Sequence, residues 1–133
     1  MDLSKVIELS GQADEFIETM KNTTNTCIGK INGYFDEIEN LINNAGYNSA
    51  HFVNKRLEVI YKKIDGILVT FNDKIDGLTK QLNKWYNEQM NNIKTNLVKA
   101  QQAKLGLDLP AESIKSLAEA IPHPALVIPE FKI

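Results

Sequence analysis

Every eleventh residue from Leu9 to Leu97 is apolar: Leu9, Met20, Ile31, Ile42, Val53, Ile64, Ile75, Tyr86 and Leu97. Eleven residues make about three turns of a straight α-helix, so this series keeps one helix face apolar wherever the chain is helical. A strand alternates its faces with a period of two and would scatter the same positions over both sides. Any amphipathic helix shows some of this period, but here the local motif repeats as well. Lys63-Ile64-Asp65-Gly66-Ile67 recurs as Lys74-Ile75-Asp76-Gly77-Leu78, and Lys30-Ile31-Asn32-Gly33-Tyr34 lies 33 residues upstream of the first. The period predicts helices that pack nearly straight or with a slight right-handed twist. Gly11, Gly33, Gly66 and Gly77 each fall two residues after a member of the series, opposite the apolar stripe. They mark a solvated face left by duplication or, more sharply, a second face where another chain's backbone comes close.

The four prolines all lie between residues 110 and 129, so none interrupts the first hundred residues. Alternate steps of three and four from Leu3 to Ala45 meet 11 apolar residues in 13, which fits a heptad seam. Ile7, Phe16, Ile28, Phe35 and Ile42 widen that seam beyond what a two-stranded zipper needs. Asn22-Thr23-Thr24-Asn25-Thr26 gathers poor helix formers and predicts a frayed or interrupted turn. A break is expected over residues 43–49, where Asn44 or Gly46 is suited to a left-handed helix end and Ser49 to an N-cap. A second helix then runs from about Ala50 to Lys104, roughly 80 Å at 1.5 Å per residue. One continuous helix through Gly46, in a parallel trimer, would also keep the phase and ranks behind an antiparallel hairpin.

Past Lys104 the character changes. Gly106 suits a helix stop, and Pro110 with the flanking Asp108 and Glu112 suits a new helix start. Ile114, Leu117, Ala118 and Ile121 would share one face of that short helix. Residues 122–133 hold three prolines and read as an extended apolar arm, in which Leu126-Val127-Ile128 could form one short strand. A lone strand needs an edge, so the arm either folds back on its own helices or is completed by another polypeptide. The expected fold is all-α, with long amphipathic helices in a hairpin or coiled-coil bundle, a short C-terminal helix and an extended Pro-rich arm. By sequence character it divides into a long helical region, 1–105, and a tail, 106–133.

The candidate interface residues follow from these patterns. The seam offers Ile31, Ile64, Phe71, Ile75, Leu82, Trp85 and Tyr86, and the arm offers Leu126, Val127, Ile128, Phe131 and Ile133. Groups for chemistry are sparse. No phosphate-binding glycine loop, His-Glu-x-x-His or nucleophile elbow is present, and one cysteine excludes an internal disulfide. Cys27 occupies a seam position and reads as a small apolar residue, because an activated thiol needs a cationic or helix N-terminal setting. His51 suits an exposed or capping place, and His123, between two prolines, suits arm docking or solvent. Asp65 and Asp76 lie about 16 Å apart along one helix, too far to share an ion, and read as solvated partners for Lys63 and Lys74. No catalytic, metal or cofactor role is expected.

Net charge is −2 over 133 residues, too weak for a dedicated nucleic-acid binder, and 43% hydrophobic content argues against disorder. The distribution says more than the total. Residues 1–48 carry three basic and eight acidic groups (−5), residues 49–105 ten and five (+5), and residues 106–133 two and four (−2). Opposite signs on consecutive helices favour their lateral pairing. The expected function is a non-enzymatic, oligomeric assembly protein docked through its arm on a larger particle. A phage virion or tail accessory protein is the nearest analogy in style. An amphipathic membrane-surface protein is the alternative, and a nucleic-acid factor using the basic helix comes third. The expected partners are protein, a second copy and the larger assembly, with no small-molecule substrate. No leader-like basic and apolar segment or run of about 18 apolar residues is visible, so a cytoplasmic or virion location is expected.

Overall fold

A computed structural model describes the backbone of residues 3–133 and side chains from Glu8 onward. Three helices account for its regular structure: α1 (Leu3–Asn43), α2 (Ala50–Leu105) and α3 (Ala111–Ala120), with a 3-10 turn at Ala45–Tyr47. No strand occurs among the described residues, and Leu126–Ile128 has no sheet edge to join. None of the described helices is long and apolar enough to cross a membrane.

The α1 seam is buried at alternating spacings of three and four: Met20, Thr24, Cys27 and Ile31 are all buried, as is Ala13. The polar run at residues 22–26 stays helical, against the expected interruption. Thr23 Oγ1 donates to the Thr19 carbonyl at 2.8 Å and Thr24 Oγ1 to the Met20 carbonyl at 2.9 Å. Each hydroxyl thus bonds within the helix, and Thr24 enters the core with its polar atom satisfied. In α2 Ile60, Ile64, Ile67, Phe71, Ile75, Leu78 and Leu82, all buried or half-buried, step by 4, 3, 4, 4, 3 and 4, with Leu68, Gly77 and Thr79 half-buried beside them. That is the 11-residue period expressed in burial.

The break falls at residues 44–49, which removes the continuous-helix alternative. Its chemistry differs from expectation, because neither Asn44 nor Gly46 has a positive φ. Asparagine side chains carry the turn instead: Asn44 Nδ2 donates to the Asn40 carbonyl at 2.7 Å and Asn48 Nδ2 to the Asn44 carbonyl at 3.2 Å. Ser49 caps α2 as its sequence suggests, accepting the Phe52 N–H at 3.2 Å. Gly106 ends α2 at φ 66°, with its own N–H on the Ala103 carbonyl and Leu107 N–H on the Gln102 carbonyl. This double bond pattern needs a left-handed residue, which only glycine adopts without strain. Pro110 stands one residue before α3 rather than inside its first turn, and its carbonyl accepts the Ser113 and Ile114 N–H groups. Ile114 and Ala118 are buried, whereas Leu117 is 49% exposed and leaves the expected shared face.

Two compact units organise these elements. The hairpin unit comprises Glu18–Leu78 with Glu130–Ile133. Within it α1 and α2 run antiparallel, since Glu37 meets Arg56 and Tyr34 meets Lys63. The arm unit comprises residues up to Ile17 and Thr79–Pro129, so it contains stretches of α1 and α2 together with α3 and the first part of the tail. These units follow packing, while the division at residue 105 follows sequence character.

A Cβ added at Gly11, Gly33, Gly66 or Gly77 meets no atom within 4 Å. Each Gly→Ala change in these helix interiors should therefore raise stability by about 1 kcal/mol. Gly106→Ala should lower it by about 1 kcal/mol, because alanine is strained at that φ. Urea unfolding of the five variants checks both signs.

Candidate functional site

Two α-helices packed side by side leave a furrow along each flank. In the hairpin unit one furrow opens into a groove of about 780 Å³. Its floor is apolar, made by Cys27, Ile67 and Phe71, and its walls carry Lys30, Lys63 and Lys74. Thr19, Thr23, Thr26, Thr70 and Asn22 add polar groups, and no carboxylate lines it. Lys63 Nζ lies 5.9 Å above the centre of the Tyr34 ring, a cation–π contact that holds one wall. Lys63 therefore turns toward α1, not toward Asp65 as the sequence suggested. At the floor, burial pushes the Cys27 thiol up from its usual range, and the nearby Lys30 ammonium only partly opposes this. This disfavours the thiolate, in keeping with the buried place of Cys27 in the seam. Arg56 Nη2 donates to Glu37 Oε1 at 2.7 Å, an ion pair across the two helices whose partners are 42% and 40% exposed.

The arm unit holds a different constellation. Leu9, Tyr86 and Met90 form a buried cluster, against which Trp85, Ile93 and Leu126 pack. Phe16 lies 5.6 Å from Trp85 between ring centres. Around this cluster the tail is held by side chains of α2. Tyr86 Oη donates to the Pro124 carbonyl at 2.8 Å. Lys94, 2% exposed, donates to the Ile121 carbonyl at 2.9 Å and to His123 Nδ1 at 3.0 Å. An ammonium taken from water needs such acceptors. Ile121 is the C-cap of α3, with its own N–H on the Ala118 carbonyl at 3.1 Å, so Lys94 reaches the end of that helix where the dipole is negative. Accepting from Lys94 leaves the His123 proton on Nε2, which faces Asn87 Oδ1 at 3.4 Å.

Of the seam candidates, Ile31, Phe71, Ile75, Leu82 and Tyr86 are buried, and Ile64 and Trp85 are half-buried. In the arm, Leu126, Ile128 and Phe131 are half-buried, while Val127 and Ile133 are exposed. Asp65, Asp76 and His51 are exposed, and His123 takes the arm-holding place. The residue missed from sequence is Lys94. Its signal was its register, four residues after Met90 and eight after Tyr86 on the apolar stripe, where a lysine must find acceptors or leave. No cluster of metal-ligating side chains occurs among the described residues. Comparisons with protein-family models, curated proteins and solved structures returned no match.

Lys94→Ala leaves the Ile121 carbonyl and His123 without their donor and should cost about 2–4 kcal/mol. Arg56→Ala, at a half-exposed pair, should cost less than about 1 kcal/mol. Burial raises the Tyr86 phenol above its ordinary value of 10.0, so the folded protein keeps this proton longer than the unfolded chain does. Its stabilising contribution is complete below pH about 10 and is lost as pH rises through the folded value. Tyr86→Phe should cost about 1 kcal/mol at neutral pH and reduce the alkaline loss of stability, as read by denaturant titration at several pH values.

Proposed function

We propose that this chain is a non-enzymatic structural protein that acts by self-association, as one helical component of a larger particle such as a phage virion or tail. The thin construction of the hairpin unit carries this reading. Two helix stretches and the last four residues make it up, and Phe35, Ile42, Phe52, Tyr61 and Val69 remain 51% to 60% exposed. Large apolar side chains left exposed are relieved by contact with another surface. Cys27 is packed in the seam, and His123 and Lys94 hold the tail.

The tail adds further exposed apolar residues, one in each unit. Leu126 packs inward, while Val127 and Ile133 face out at 84% and 49% exposure. In this reading those outward residues dock the protein on its particle, and the contacts of Tyr86 and Lys94 fix the arm in place for docking.

Light scattering on the full chain, from about 1 to 100 μM, should give a mass that rises above the 15.0 kDa of one chain. A mass fixed at one chain throughout sinks the reading. Val127→Asp with Ile133→Asp should leave self-association intact if the arm serves the particle, and abolish it if the arm joins copies.

A further inference from the structure

We infer that the hairpin unit associates head to tail: an acidic, apolar stripe on α1 of one copy seats in the lysine-lined groove of a second copy. This rests on the self-association proposed above and assigns its two surfaces.

The groove asks for a ligand with two properties. Cys27, Ile67 and Phe71 present an apolar floor, while Lys30, Lys63 and Lys74 offer three ammonium groups with no lining carboxylate. An amphipathic helix with apolar residues flanked by acids meets both demands. Such a helix face lies on this same chain. Ile28, Phe35 and Ile42, spaced by seven, are 37%, 54% and 59% exposed. Glu39 lies about 40° from Phe35 on that side, Asp36 flanks it about 100° around the helix, and both are exposed.

The two surfaces do not compete. At about 100° per residue, Ile28, Phe35 and Ile42 lie roughly 150° around α1 from Thr19, Thr23, Thr26 and Lys30 of the groove wall. The buried seam of Met20, Thr24, Cys27 and Ile31 runs between them. One copy can therefore give its stripe to one neighbour while receiving the stripe of another. A contact between two different patches continues from copy to copy, forming a ring where its rotation closes and a fibre where it does not.

The test uses the full chain and two surface variants, Lys30→Glu with Lys74→Glu in the groove and Phe35→Glu with Ile42→Glu on the stripe. Mass is read by sedimentation or light scattering, and helix content by circular dichroism. Each variant alone should need at least about tenfold higher concentration than the parent to associate. An equimolar mixture should give a 1:1 pair and nothing larger, because it joins one intact groove to one intact stripe. A variant that associates like the parent, or a mixture that stays monomeric while both variants remain helical, overturns the proposal. The unaltered chain gives an independent reading: raising salt from about 0.05 to 0.5 M should weaken its association at least about tenfold. Association indifferent to salt overturns the assignment of the lysines. A parent that stays monomeric overturns self-association itself, whereas a parent that associates through unaffected surfaces overturns only this interface.

Discussion

An amphipathic helix can cover its apolar stripe only with neighbours, and the number of neighbours changes along α2. In the arm unit α2 has α1, α3 and the tail to pack against, and Leu82 and Met90 are almost wholly buried there. In the hairpin unit it has α1 and four terminal residues, and Phe52, Tyr61 and Val69 stay half in water. Burying a large apolar side chain contributes about 1.5–3 kcal/mol, so the uncovered stretch forgoes several such terms. The same helix thus buries Ile60 and Phe71 as well as Leu82 and Met90, but leaves more of its large apolar side chains uncovered within the hairpin unit.

Polar groups inside the arm unit show how the tail comes to be part of it. Residues 122–133 form no helix or strand, so their carbonyls lack the partners that regular structure provides. Tyr86 and Lys94 donate to Pro124 and Ile121, and Leu126 fills the cluster below them. Proline removes N–H donors from this stretch, which leaves acceptors as its main backbone currency. A phenol and an ammonium on the apolar stripe are the matching donors.

Much of this was legible in the sequence because periodicity reports which side chains share a helix face. The seam from Ala13 through Ile31, the break before Ser49 and the stop at Gly106 all follow local rules of spacing and capping. What local rules missed depended on tertiary context. Propensity argued against helix at residues 22–26, but the threonine hydroxyls bond to carbonyls one turn back, and the seam positions Thr24 and Cys27 are buried. Lys94 escapes local rules because its acceptors are 27 and 29 residues away. The groove lysines were visible as residues, yet their convergence across two helices requires the antiparallel register. Leu117 left the face that spacing assigned it because α3 buries only Ile114 and Ala118.

The chain has one tryptophan, and Trp85 lies in the arm unit against Phe16. Tyr34, Tyr47 and Tyr61 all belong to the hairpin unit. The two units therefore carry different intrinsic optical labels. Indole emission follows the environment of the finished core alone, while the far-ultraviolet helix signal sums over both units. Coincident melting by the two signals would mean that the long helices transmit cooperativity from one unit to the other, and separated melting would mean that each unit unfolds on its own.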